Sequence, residues 1–236
     1  MPPAAMVLAA GLGTRMRPVT DTCPKPLVRV AGKTLLDWAL DHVRAAGIGR
    51  VVVNVHYLAD QVEDHLRGRA DGDTILISDE RDRLLETGGG VAKALPLLDA
   101  PDFYVINADN LWVDGLLDTL RHMARLWQPD TMDGLLLMVP LARAEGYDGR
   151  GDFRMDGLGR LSRRPETKVA PFVFSGVQIL RRSLFDGVAV EPFSLNRLYD
   201  RAIGGGRLYG VVHTGQWFHV GTPEAIGRTA ELMAHG

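Results

Sequence analysis

Short apolar runs alternate with amphipathic segments through the first half of the chain, and this alternation restricts the fold more than any other feature. Met6–Ala10, Arg50–Val55, Thr74–Ser78 and Phe103–Asn107 are too short for helices and predict buried strands. Between them, Thr34–Ala46 places Leu35, Leu36, Trp38, Ala39, Leu40 and Val43 close to helical spacing, and Gly47 is a helix stop. Leu58–Leu66 and Val91–Leu98 predict two more helices. Strand–helix alternation implies an α/β fold, Rossmann-like, with a mixed, mostly parallel sheet flanked by helices. Such sheets bind ligands beyond the carboxyl ends of their strands. The glycine loop after the first strand, Asn54-Val55-His56 and Asn107-Ala108-Asp109 all follow strands and should converge.

Leu116–Leu126 predicts a helix and Gly134–Pro140 a strand. From Glu145 the texture changes, and Gly, Asp and Arg crowd into Gly146–Phe153. Phe153–Met155, Arg160–Ser162 and Phe172–Leu180 predict a small antiparallel subregion built onto the same sheet. Arg207–His213 and Trp217–Val220 predict final strands, and Pro223–Ala234 a closing helix capped by Thr222. No repeat or low-complexity linker interrupts the chain, so a single domain over 1–236 is expected. That length buries a sizeable core without disulfides, and the single Cys23 fits a reducing cytoplasm. A net charge of −2 argues against a nucleic-acid partner. No apolar run approaches the roughly 18 residues of a membrane span. The first residues lack a basic region and read as a strand, not a signal peptide.

The loop Leu8-Ala9-Ala10-Gly11-Leu12-Gly13-Thr14-Arg15-Met16-Arg17-Pro18, closed by Pro24-Lys25-Pro26-Leu27, has the chemistry of a polyphosphate site. Glycines let backbone N–H groups approach phosphate oxygens, and the basic side chains neutralise charge. Met16 stands where the dinucleotide fingerprint needs its third glycine, and no Gly-Lys-Ser/Thr follows, so neither a dinucleotide site nor a Walker A loop fits. Asp109, at the end of a strand, suits a hard cation such as Mg²⁺ bridging phosphate oxygens, or else a turn. Glu86-Thr87-Gly88-Gly89-Gly90 opens a helix whose exposed N–H groups and small residues would let a base or ribose lie against backbone. Asn54 and His56 either line a base pocket or make local hydrogen bonds.

Leu8–Arg17 with Pro24-Lys25-Pro26-Leu27 resembles the signature of sugar-1-phosphate nucleotidylyltransferases. The resemblance implies the nucleotide-diphospho-sugar transferase fold, with 1–140 mainly nucleotide-binding and 141–236 mainly sugar-binding. It implies that Arg15 grips the triphosphate, that Lys25 sits near the reacting phosphate and that Asp109 binds Mg²⁺. Leu8, Ala10, Gly11, Gly13, Thr14, Arg15, Asn54, Glu86, Thr87, Gly88, Gly89 and Asn107 are then the nucleotide-binding candidates. A late Trp-x-Asp-x-Gly-Thr segment usually supplies a second metal-binding Asp. Here it reads Trp217-Phe218-His219-Val220-Gly221-Thr222, with His219 at the aspartate position. Imidazole is a poor magnesium ligand. A phosphate or sugar contact, a water-mediated metal contact and a purely structural role all remain open for it, as does a metal held by Asp109 and the nucleotide alone. The histidine also leaves room for a regulatory module that binds nucleotide without turnover.

On the sugar side, Asp152, Glu166, Ser175, Gly176 and Trp217 supply the carboxylates, small polar groups and aromatic face that sugars need. Arg163-Arg164-Pro165 replaces the family's Glu-Lys-Pro, which leaves Arg164 or Lys168 for the lysine role. Glu86–Gly90, Gly149–Phe153 and Phe174-Ser175-Gly176 look most like the branch of uridylyltransferases acting on N-acetylmuramate 1-phosphate in bacterial cell-wall recycling. A mannose-1-phosphate guanylyltransferase or a related hexose or heptose enzyme is the alternative. The partners implied are a nucleoside triphosphate and a sugar 1-phosphate, in a monomer or small homo-oligomer.

Overall fold

The computed structural model describes residues 1–69 and 74–235. In chain order, β1 (Ala4–Leu8) leads through the glycine loop to a ribbon of β2 (Arg29–Val30) and β3 (Lys33–Thr34). Then come α1 (Leu35–Ala46), β4 (Arg50–Val55), α2 (Ala59–Arg67), β5 (Thr74–Asp79), α3 (Glu86–Leu98), β6 (Asp102–Asn107) and β7 (Asn110–Val113). The middle of the chain holds α4 (Thr119–Leu126), β8 (Gly134–Pro140), β9 (Ala144–Glu145), β10 (Phe153–Met155), β11 (Leu161–Arg163) and β12 (Phe172–Arg181). It ends with α5 (Asn196–Gly204), β13 (Leu208–Val212), β14 (Gln216–His219) and α6 (Pro223–His235).

The main sheet is mixed, in the order β11-β10-β12-β6-β1-β4-β5, with β8 on β12 and β13 on β8. Its half β6-β1-β4-β5 is wholly parallel, as the strand–helix alternation requires. Helices cover both faces, so β1 is apolar throughout. Ala5 and Val7 pack toward Leu36, Leu40 and Val62, whereas Ala4 and Met6 pack toward Val91, Leu98 and Leu198. Thr34 caps α1 by accepting from the Asp37 N–H at 3.0 Å, and Gly47 ends it in the left-handed region at φ 84°. Among the described residues no helix is long and apolar enough to cross a membrane.

The structure departs from the sequence reading in several elements, the short strands β2, β3, β7 and β9 among them. α4 starts at Thr119 because Asp118 caps it, accepting from the Arg121 N–H at 2.8 Å, which leaves Leu116 outside and fully exposed. α3 starts at Glu86, so the three glycines lie inside it. α5 was not expected at all, although Leu195, Leu198, Tyr199 and Ala202 recur at helical spacing. β14 leaves the main sheet and pairs with β7 and β9 in a separate three-stranded sheet.

Candidate active site

Three strand ends meet at one cleft, as the topology demands. Leu8 pairs with both Asn54 and Asn107 across the parallel strands, so the loops after β1, β4 and β6 open side by side. The cleft holds about 370 Å³ and is lined by Leu8, Ala10, Gly11 and Lys25 on one wall and by Leu84, Glu86 and Thr87 on the other, with Asn107 and Asp109 at its floor. A second hollow of about 350 Å³ continues from it, bounded by Gly13, Thr14, Arg15, Lys25 and Asp109.

The glycine loop is rigidly seated. Gly13 takes φ 64°, and a Cβ there would sit 3.0 Å from Thr20 Cγ2 and 3.1 Å from Lys25 Cβ. The Thr20 hydroxyl donates to the Gly13 carbonyl at 2.8 Å, and Tyr57 donates to the Thr20 carbonyl at 2.9 Å. Met16 is buried in a small core with Val28, Leu35, Leu111 and Phe218. This pinning leaves Gly11 and Arg15 exposed on the mouth.

Lys25 is 8 % exposed, yet its Nζ donates to Asp109 Oδ2 at 2.7 Å, while the Asp109 side chain is 34 % exposed. A lysine and a carboxylate 84 positions apart therefore face the same space. Among the described residues Asp109 Oδ1 meets no protein donor, so the carboxylate keeps lone pairs for a hard cation. No cluster of three or more His, Cys, Asp or Glu side chains suited to a metal occurs among the described residues. This donor set fits Mg²⁺, which keeps waters and substrate oxygens around one or two carboxylates.

His219 lies within electrostatic reach of that pair. Burial lowers its imidazole below the ordinary value, Asp109 opposes, and Lys25 and Arg15 reinforce the lowering. The ring stacks on Trp217 at 5.9 Å and meets the Tyr147 edge at 6.2 Å. A Cβ at Gly221 would come 2.6 Å from its Nε2. Packing thus fixes the ring, and burial disfavours its charged form.

Several candidates have their polar groups engaged by the protein itself, Asn54 in the cleft lining among them. Asn54 is 2 % exposed, with its Oδ1 accepting from the Ala9 N–H and its Nδ2 donating to Glu80, both at 2.7 Å. Gly88 and Gly89 are buried, and their N–H groups donate to the Phe193 carbonyl at 2.8 and 3.3 Å. The N–H groups expected to be open to a base are therefore taken by the chain itself. Small residues are needed because the segment around Phe193 crosses the first turn of α3. A Cβ at Gly88 would lie 2.2 Å from the Phe193 ring, and one at Gly89 would lie 2.0 Å from the Glu191 carbonyl. Glu86 and Thr87 do reach the cleft. Glu86 adopts φ 57°, a strained value for a non-glycine residue.

The sugar-side candidates divide in the same way. Asp152 lines a separate hollow of about 360 Å³ together with Arg163, Asn196 and Tyr199. Its Oδ2 accepts from the Phe174 N–H at 2.8 Å. Ser175 is 0 % exposed and Trp217 is 2 % exposed, and the Trp217 indole donates to the Ser175 carbonyl at 3.1 Å. Gly176 takes φ 87° in the bulge of β12, where Asn110 Nδ2 would lie 2.0 Å from a Cβ. These three tie β14 and β7 to β12 and do not face a ligand space, which corrects their reading as sugar contacts. Glu166 is exposed, and Arg164 gathers the carbonyls of Gly151, Pro165, Glu166 and Lys168. Arg163, Asn196 and Tyr199 were missed, the last two with α5, whose periodicity could have found them.

The profile of the family described as nucleotidyl transferase matches residues 4–235. The chain is 44 % identical to an N-acetylmuramate alpha-1-phosphate uridylyltransferase of Caulobacter vibrioides, over 95 % of this chain and 94 % of that one. It is 40 % identical to the enzyme of that name from Neisseria meningitidis, over 92 % and 93 %. A UDP-glucose pyrophosphorylase crystallised with UDP-glucose shares the fold, with a TM-score of 0.82 and 18 % identity over 100 % of this chain and 99 % of that one. The strand-end cleft, its lysine–aspartate pair and these likenesses agree: the chain belongs to the nucleotidyl transferase family, among its sugar-1-phosphate nucleotidyltransferases.

Proposed function

We propose that the protein transfers a uridylyl group from UTP to N-acetylmuramic acid 1-phosphate, with Mg²⁺ as cofactor. The observation that carries the substrate assignment is the 44 % and 40 % identity to two uridylyltransferases of that specificity over nearly the whole chain. An oxygen of the sugar phosphate attacks the α-phosphorus in line. A new P–O bond forms as the bond to the β-phosphate breaks, and pyrophosphate leaves. A phosphate dianion needs no strong general base, so catalysis is mostly positioning and charge neutralisation. Lys25, fixed by its 2.7 Å contact to Asp109, places an ammonium where negative charge grows. Arg15, exposed at the mouth, reaches the β- and γ-phosphates. Asp109 is the residue that would hold Mg²⁺, which when bound supplies charge neutralisation across the phosphate oxygens.

Glu86 and Thr87 face the nucleoside, and Asp152 with Asn196 offers partners for sugar hydroxyls in the separate hollow that they share with Arg163 and Tyr199. Residues 1–140 mainly serve the nucleotide and 141–236 mainly the sugar. The setting is the bacterial cytoplasm, in peptidoglycan recycling, as a monomer or small homo-oligomer. The test is pyrophosphate release with Mg²⁺ over UTP, GTP, CTP and dTTP crossed with N-acetylmuramate, N-acetylglucosamine, glucose and mannose 1-phosphates. UTP with N-acetylmuramate 1-phosphate should give the highest kcat/KM. Preference for GTP with mannose 1-phosphate would replace the substrates. Nucleotide binding without turnover on any pair would make the protein a regulatory module.

A further inference from the structure

We infer that Glu80 is a positioning residue for the nucleotide, setting the separation of the two cleft walls through Asn54. The inference rests on reading the cleft as the nucleotide site. The Ala9 N–H, on the phosphate-side wall, donates to Asn54 Oδ1 at 2.7 Å. Asn54 Nδ2 donates to Glu80 Oε1 at 2.7 Å, and the Leu85 N–H, just before Glu86 and Thr87, donates to Glu80 Oε2 at 3.0 Å. One unbroken chain of hydrogen bonds thus joins the start of the glycine loop to the start of α3, passing through Asn54 in the cleft lining.

The link is made of costly parts. Glu80 is 1 % exposed and Asn54 2 % exposed, and no cation pairs with Glu80 among the described residues. A buried carboxylate without a cation is a poor way to gain stability, since an apolar pair fills such a space at lower cost. What it provides is direction. Both carboxylate oxygens accept, each from one defined donor. The backbone of Glu80 is also fixed, its N–H donating to the Val55 carbonyl at 2.8 Å and its carbonyl accepting from His56 Nδ1 at 2.7 Å. The third glycine of the triplet serves this link, since a Cβ at Gly90 would lie 2.8 Å from Glu80 Oε1 and 3.1 Å from Asn54 Nδ2.

The polarity of the chain supplies the test. Glu80→Gln turns one acceptor into a donor, so a donor faces either Asn54 Nδ2 or the Leu85 N–H. Asn54→Asp sets two carboxylates against each other. Combining the two changes reverses the middle bond only: the new amide at 80 donates to the new carboxylate at 54, and the Ala9 and Leu85 N–H groups still meet oxygen. Steady-state kinetics, calorimetric titration with UTP, GTP, CTP and dTTP, and thermal melts are compared for the four proteins. Glu80→Gln should raise the KM and Kd of the bound nucleotide about tenfold or more, with the KM of the sugar phosphate changed less than about twofold. The double variant should recover to within about threefold of the unaltered protein. A Glu80→Gln protein that melts earlier with nucleotide affinity unchanged overturns the assignment. A double variant that does not fold, or folds with the affinity loss uncorrected, does the same, whether or not Glu80→Gln itself folds. If the unaltered protein binds nucleotide but turns over no sugar phosphate, the proposed function fails while the titrations still decide the role of Glu80. Failure of all four triphosphates to bind overturns both.

Discussion

Gly89→Ala separates a glycine that touches ligand from one that lets the chain close on itself. The added Cβ would sit 2.0 Å from the Glu191 carbonyl oxygen. A relaxed carbon–oxygen contact is about 3.3 Å, so the segment carrying Glu191 and Phe193 must retreat by about 1.3 Å. That retreat stretches the bonds from the Gly88 and Gly89 N–H groups to the Phe193 carbonyl, now 2.8 and 3.3 Å, beyond useful length. Each lost bond costs about 1 kcal/mol, and forcing atoms into a packed site costs roughly 1–3 kcal/mol more. Alanine returns about 1 kcal/mol of helix propensity. The net loss is about 3 kcal/mol, a fall in Tm of roughly 6–12 °C for a chain of this size. Gly227→Ala is the control: Gly227 also lies in a helix, α6, with nothing within 4 Å of a Cβ, and should stabilise by about 0.5–1 kcal/mol. Urea and thermal unfolding followed by far-UV circular dichroism give both values. A Gly89→Ala protein as stable as its parent but weaker in nucleotide binding would refute the packing account and return the N–H groups to the ligand.

Other perturbations address the charged groups. Lys25→Ala should lower kcat about 10²- to 10³-fold while nucleotide Kd changes less than about tenfold, because the lysine acts where charge develops. The fold should survive, since Asp109 is already 34 % exposed; unchanged turnover would remove Lys25 from catalysis. Asp109→Asn should shift the magnesium activation curve to higher concentration, and an unaltered titration would free Asp109 of that role. Burial alone would raise the Asp114 carboxyl, but His42, 3.6 Å away, and hydrogen bonds from Thr119 outweigh it and hold it at about 2. A depressed carboxyl stabilises the fold above its unfolded value near 3.8 and loses that contribution as pH falls toward about 2. The unaltered protein should therefore lose about 2 kcal/mol more than Asp114→Asn across that interval, read from urea midpoints; equal losses would refute it.

The parallel half of the fold was legible because its inner strands β6, β1 and β4 are buried on both faces and its helices on one. Those are the patterns that apolar runs and helical spacing report. Arg50–Val55 and Gly134–Pro140 match β4 and β8 residue for residue. What escaped depends on partners distant in sequence. β7 is four residues long and is a strand through its pairing with β14, His219 opposite Asn110 and Trp217 opposite Trp112. β12 reads locally as part of an antiparallel subregion, yet it borders β6 and carries the main sheet across into β8. The helical periodicity of α5 was present in the sequence, and without it Asn196 and Tyr199 could not be placed beside Asp152.

In the site the division follows a physical rule. A charged side chain just past a buried strand has few destinations besides a ligand space, and Asp109, following β6, meets Lys25 of the glycine-loop segment at 2.7 Å. A glycine carries no such restriction. It reports that something comes close to backbone, and sequence does not say whether that is a phosphate or another part of the chain. Gly11 has nothing within 4 Å of a Cβ and faces the cleft, whereas Gly88, Gly89 and Gly90 are each met by protein within 3 Å. Ser175 and Trp217 mislead for a related reason, because their polar atoms bond inside the protein and only the three-dimensional partner reveals it. The same holds for Glu80, which no motif marks and whose carboxylate gains meaning only from the two donors that chain folding brings to it. Residues that hold the walls of this cleft are therefore hidden from sequence by the same contacts that make them effective, and substitution with paired rescue is the measurement that exposes them.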